Sequence, residues 1–133
     1  MADNKIVQLN KVLAEKYKTR VFFSTNVMQD YKSFSRGKRN DVLKLILKQA
    51  EKGALFKPDG NGNRCEGQLH QFAKIKSKTL NLRIIYRPQL CDDGIIEMGI
   101  IAIGPRDNLE VYKMAIQRMT ALDKTSEYRE EEK

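Results

Sequence analysis

Apolar and polar residues recur along this chain at two different periods, and the switches between them divide it into elements. Residues 5 to 18 place Ile6, Leu9, Val12, Leu13 and Tyr17 at helical spacing among lysines and glutamines, the stripe of an amphipathic helix. Arg20-Val-Phe-Phe-Ser24 reads as a strand, and Thr25 or Asn26 caps a helix over residues 27 to 34. Ser35 to Asp41 is polar and interrupts the pattern. From about Asn40, the residues Val42, Leu43, Leu45, Ile46, Leu47 and Ala50 predict a strong helix that Gly53 ends. Phe56 to Arg64 is rich in Gly, Asn and Asp and reads as a loop.

From Phe72 the period becomes two. Ala73 and Ile75 point to one face of a strand while Lys74, Lys76 and Lys78 share the other. Lys78 to Asn81 forms a turn, since Asn tolerates a left-handed backbone. A second strand then sends Leu82, Ile84 and Tyr86 inward and Arg83 and Arg87 outward beside Ile85. After a turn over residues 89 to 94, Gly94 to Ile103 is the most continuously apolar run, as in a central strand covered on both faces. Asp107 or Asn108 caps a last helix carrying Val111, Tyr112, Ala115, Ile116 and Met119. The order is helix, strand, two helices, three strands, helix. It predicts an α+β fold: a small mixed, mainly antiparallel four-stranded sheet with two helices packed on it and further helices at the two ends. The boundaries are an N-terminal helical extension over residues 1–19, a domain over 20–122 and a charged tail over 123–133.

Composition adds a partner to this picture. The chain has 133 residues, 41% of them hydrophobic, enough for one ordinary core. Its net charge of +8 is uneven: residues 1–106 hold 20 Lys and Arg against 10 Asp and Glu, and residues 107–133 hold 5 against 7. Like charges crowded on one hairpin face repel one another, so the face suits an anionic guest, and a phosphate-rich polymer is the obvious one. No apolar run is long enough to span a membrane, and the first residues lack the apolar stretch of a signal peptide, so a cytoplasmic location is expected. Cys65, Cys91 and the lone His70 fall short of a zinc-ligand set. They predict reduced thiols and neither metal nor cofactor.

Four pieces of the chain, in order, resemble the RelE family of bacterial toxins, the ribosome-dependent mRNA interferases of toxin–antitoxin modules. They are Lys74-Ile-Lys76, Leu82-Arg-Ile-Ile-Tyr86, Ile103-Gly-Pro-Arg106 and Glu110-Val-Tyr-Lys-Met-Ala-Ile-Gln-Arg118. The similarity covers about residues 20 to 119. It implies a RelE-like fold and a metal-independent endoribonuclease whose catalytic set falls on Lys74, Lys76, Arg83, Arg106 and Tyr112. Lys78, Arg87 and His70 are further candidates for holding RNA. The implied partners are mRNA in the ribosomal A site and a cognate antitoxin. Pro105, where a basic residue is common in the family, the extra N-terminal helix, the acidic tail and an extended loop before the hairpin all depart from the family pattern.

The implied reaction is attack of an RNA 2′-hydroxyl on the adjacent phosphodiester, leaving a 2′,3′-cyclic phosphate and a 5′-hydroxyl end. It requires a base, an acid for the leaving oxygen, and positive charge at the phosphorane. A free lysine, with a pKa of about 10.4, is a poor base at neutral pH. Neighbouring cations disfavour its protonated form, which is why the chemistry wants them crowded. On this logic Lys76 is the base or hydroxyl-orienting group, Lys74 and Arg83 clamp the phosphate, Arg106 stabilises charge and Tyr112 stacks on the nucleotide. Periodicity alone leaves other readings open. The lysines also fit a solvated hairpin face, the arginines also fit ion pairs, and Tyr112 also fits packing. A non-catalytic RelE/ParE-type toxin such as a gyrase poison, or a module that docks nucleic acid or protein, is the rival reading.

Overall fold

A computed structural model of the protein describes residues 4–105 and 109–119. Among the described residues, the α-helices and strands follow in the order α1 (Asn4–Tyr17), β1 (Thr19–Phe23), α2 (Thr25–Ser33), α3 (Arg36–Lys52), β2 (Asn63–Arg64), β3 (Ala73–Ser77), β4 (Leu82–Leu90), β5 (Ile96–Gly104) and α4 (Glu110–Arg118), with a short 3₁₀ turn over Gly67–Leu69 between β2 and β3. The strands form one mixed sheet in the order β1-β5-β4-β3-β2. β1 runs parallel to β5, and the other pairings are antiparallel. The sheet therefore has five strands, not four. The added strand is the two-residue β2, which lies in the stretch expected to be a loop; its side chains are exposed, so it leaves no alternation to read.

Helix starts also differ from expectation, for a local reason. The Ser24 hydroxyl accepts a hydrogen bond from the Val27 amide, so Ser24 caps α2 in place of Thr25 or Asn26. Ser35 does the same for α3 through the Lys38 amide. A serine cap satisfies an amide that a helix start would otherwise leave unpaired. Hence α3 begins at Arg36, and the polar residues read as an interruption form its first turn.

The helices α1, α2 and α3 cover one face of the sheet. Leu13, Val27, Tyr31, Val42 and Ile46 pack there with Ile75, Ile84, Tyr86, Met98 and Ile100. The opposite face carries a smaller core in which Phe22, Cys65, Phe72, Ile85, Ile101 and Ala102 meet Val111 and Ala115 of α4. A β-bulge makes this second core possible. Ile85 pairs with Ala102 but Tyr86 pairs with Ile100, so Ile101 is the extra residue of β5. Ile101 and Ala102 consequently turn toward α4 while Ile100 and Ile103 face the larger core. Ile85, expected on a wet face, is fully buried because α4 lies over it.

The N-terminal helix is built into the domain. The Asn10 side chain accepts from the Val21 amide at 2.8 Å and donates to the Val21 carbonyl at 3.0 Å. It thus occupies backbone groups on the outer edge of β1, where a further strand would bind. Within the expected stripe of α1, Ile6, Leu9 and Leu13 are buried, whereas Val12 is 37% exposed.

Candidate functional site

The cationic face is set by strand register. Lys76 of β3 lies directly opposite Arg83 of β4, and Arg83 lies opposite Gly104 of β5. Lys74 sits two residues from Lys76 on the same strand, roughly 7 Å away along the sheet. This pairing depends on the tight connection between β3 and β4. There Asn81 adopts a left-handed φ of 52°, its amide donates to the Lys78 carbonyl, and the Ser77 hydroxyl accepts from the Leu80 amide.

α4 closes one side of the site. A β-carbon built at Gly104 would stand only 3.1 Å from the β-carbon of Val111, so glycine at this position lets the helix lie close on the sheet. Tyr112, next to Val111, then brings its ring against Arg83, with the guanidinium carbon 4.9 Å from the ring centroid. That geometry is a cation–π contact. Arg118 fixes the other end of the helix, donating to Asp30 of α2 at 2.9 Å and to the Ile101 carbonyl at 3.2 Å. The carbonyl belongs to the bulge residue, so the bulge and the anchor of α4 are one device.

Two arginines elsewhere have carboxylate partners. Arg20 pairs with the buried Glu97 at 2.6 Å, and Arg118 pairs with Asp30. Among the described residues no carboxylate pairs with Lys74, Lys76 or Arg83, and the buried Nε of Arg83 has no hydrogen-bond partner. A buried donor on a cation calls for an acceptor, and an anion in front of this face would supply one. Cys65 lies close enough to feel the same cations. Burial pushes its thiol above the ordinary range, while Lys74 and Arg83 pull in the opposite direction. Cys65 and Cys91 are both free thiols.

The remaining candidates fall elsewhere. Lys78 is exposed on the β3–β4 turn, two residues beyond Lys76. Arg87 is four residues from Arg83 on β4, roughly 13 Å along the strand, so it is not part of the compact group. His70 is exposed at the end of a short 3₁₀ turn; its ring nitrogen Nδ1 lies 3.2 Å from the Gly67 carbonyl, and its own carbonyl accepts from Arg64. Arg106 lies outside the described residues, as do Asp107, Asn108 and the charged tail. The structure thus brings Lys74, Lys76, Arg83 and Tyr112 together. The sequence reading missed the parts that support them: Gly104, Arg118 and the bulge at Ile101. Gly104 had a visible signal, a lone glycine closing an apolar strand before a proline. Arg118 had none, because its partner Asp30 lies on a distant element.

No protein-family model matches this sequence, and no curated protein does. Among solved structures, the chain is similar to the E. coli toxin RelE. A RelE mutant in the free state matches at 20% identity with a TM-score of 0.52, covering 74% of this chain and 94% of that one. The isolated toxin matches at 20% identity and a TM-score of 0.47, over 74% and 96% of the two chains. The mutant in complex with an antitoxin RelBc peptide matches at 19% identity and a TM-score of 0.45, over 74% and 94%. At this level of identity the likeness is one of architecture: the chain has a RelE-like fold.

Proposed function

We propose that this RelE-like domain is a toxin that cleaves mRNA on the ribosome. The observation that carries the reading is the row of Lys74, Lys76 and Arg83, which has no carboxylate partner among the described residues, with Tyr112 held against Arg83. The shared architecture with a RelE toxin supports it. In the proposed reaction the ribose 2′-oxygen attacks the neighbouring phosphorus and gives up its proton to Lys76. The P–O5′ bond breaks, and the leaving oxygen takes a proton from solvent water to become a 5′-hydroxyl, while the proton taken up by Lys76 returns to solvent. Lys74 and Arg83 bind the nonbridging oxygens, where charge grows in the transition state. Arg83 donates hydrogen bonds without releasing its proton, since a guanidinium holds it too firmly. Tyr112 has two roles: it fixes the Arg83 plane and presents its ring to a base. Arg106 belongs to the same proposal as a further source of charge.

Positioning of the substrate comes from the ribosomal A site, so cleavage of free RNA is feeble. Control comes from an antitoxin, an acidic or amphipathic segment that covers the cationic face. The test is induction of the wild type and of the double variant Lys76→Ala/Arg83→Ala in growing cells. Growth arrest with loss of intact mRNA is expected for the wild type only. Arrest that survives the double substitution and is accompanied by a DNA-damage response would replace this reading with a gyrase-type poison.

A further inference from the structure

The helices α1 and α3 run side by side in the same direction. The Lys5 ammonium donates to Asn40 at 2.8 Å at one end, and the Tyr17 hydroxyl donates to Glu51 at 3.4 Å at the other. Between them lies an open groove of ≈ 380 Å³, lined by Lys5, Gln8, Leu9 and Val12 of α1 and Asn40, Leu43, Lys44 and Leu47 of α3. Each helix contributes positions i, i+3, i+4 and i+7, one continuous ridge apiece. The floor is aliphatic, and the rim carries the charges of Lys5 and Lys44. The two helices together hold nine Lys and Arg against three Asp and Glu. This surface is on the opposite side of the sheet from α4, so it is separate from the cationic row on β3 and β4.

From this geometry we infer that the α1–α3 groove is a docking site for an acidic amphipathic helix of a protein partner. The apolar floor takes the apolar stripe of such a helix, and Lys5 and Lys44 meet acidic residues flanking it. A nucleic acid fits the groove poorly. Neither an aromatic ring nor an arginine lines it, so nothing there stacks on a base or grips a phosphate in the bidentate manner. The inference stands apart from the cleavage reading, because none of the groove residues belongs to the proposed catalytic group.

Backbone amide NMR on the full chain tests it. The probe is a synthetic helical peptide about 18 residues long, long enough to run the length of α1, with leucines on one stripe and glutamates elsewhere. The expected result is saturable shifts at Leu9, Val12, Leu43 and Leu47, and affinity reduced about tenfold or more in Gln8→Glu/Lys44→Glu, which places acids on both walls. Both substituted residues are exposed, and this variant is expected to retain mRNA cleavage. The inference is overturned by any of four results: no shifts at the groove, equal affinity in the variant, equal affinity for a peptide with lysines in place of the glutamates, or shifts there with an RNA oligonucleotide instead. Shifts at the same residues on raising the protein concentration alone would assign the groove to a second copy of the chain and also overturn it.

Discussion

Arg83 concentrates the chemistry of the proposed site in one side chain, since it faces Lys76 across the ladder, lies against Tyr112 and keeps a buried donor without a partner among the described residues. Arg83→Lys is therefore expected to lose most of the cleavage that Arg83→Ala loses, because an ammonium has no planar fork to hold two phosphate oxygens. Lys76→Ala is expected to slow cleavage of ribosome-bound mRNA by about 10² to 10⁴-fold, the usual worth of a positioned proton-transfer group. Tyr112→Phe should retain activity, whereas Tyr112→Ala should cost about 1–3 kcal/mol of base stacking. Single-turnover rates on programmed ribosomes check all five variants. Alternation in the sequence placed Lys74, Lys76 and Arg83 on one face, but it placed Arg87 there equally, and only distance along the strand separates them. Helical spacing grouped Tyr112 with Ala115 and Ile116, yet Ile116 is 40% exposed while Tyr112 packs on Arg83. Spacing fixes which residues share a face and is silent on what that face meets. Two buried groups also set an alkaline limit. Burial pushes the Cys65 thiol above its ordinary 9.0 and the Tyr86 phenol above its ordinary 10.0. Both are neutral in the fold and ionise more readily in the unfolded chain, so their contribution is whole below about pH 9 and lost as pH rises further. Urea unfolding at about pH 8 and about pH 10.5 should show that loss, and Cys65→Ala should lessen it.

At the scale of elements, two attachments decide whether the site and the domain hold their shape. α4 is seated by the close contact of Gly104 with Val111 and by the two hydrogen bonds of Arg118. Gly104→Val would push Val111 away and carry Tyr112 off Arg83. Faster amide exchange across residues 111–118 and reduced cleavage are the expected outcome, with most of the larger core's stability retained because that core lies on the other face. α1 is seated by Asn10 on the edge of β1. Asn10→Ala removes both hydrogen bonds and exposes an edge strand, at a cost of about 1–3 kcal/mol in urea unfolding and with a greater tendency to self-associate. Long periodic elements were legible in the sequence: α1, β3, β4 and the central strand β5. Short or polar ones were not. β2 has two residues and no period, and the first turn of α3 is polar because it faces solvent. The bulge at Ile101 was hidden inside an unbroken apolar run, where one extra residue leaves no mark.

For the whole molecule, the α+β class followed from the order of elements, and the three-layer arrangement followed from β5 being apolar on both of its faces. Its charge was legible too, but charge alone does not name a polyanion. If the site grips about four phosphates of a single strand, the logarithm of RNA affinity should fall with the logarithm of salt at a slope of about −3. A slope near zero would mean that the cations are surface charge only. The central claim is that the Lys74, Lys76, Arg83 and Tyr112 group cuts RNA through its own 2′-hydroxyl. Mapping of mRNA ends on translating ribosomes, after brief exposure to the wild-type protein or to Lys76→Ala/Arg83→Ala, tests it most directly. The account predicts new 5′-hydroxyl ends inside A-site codons with the wild type and none with the variant. The same ends from both proteins, or 5′-phosphate ends from either, would contradict it.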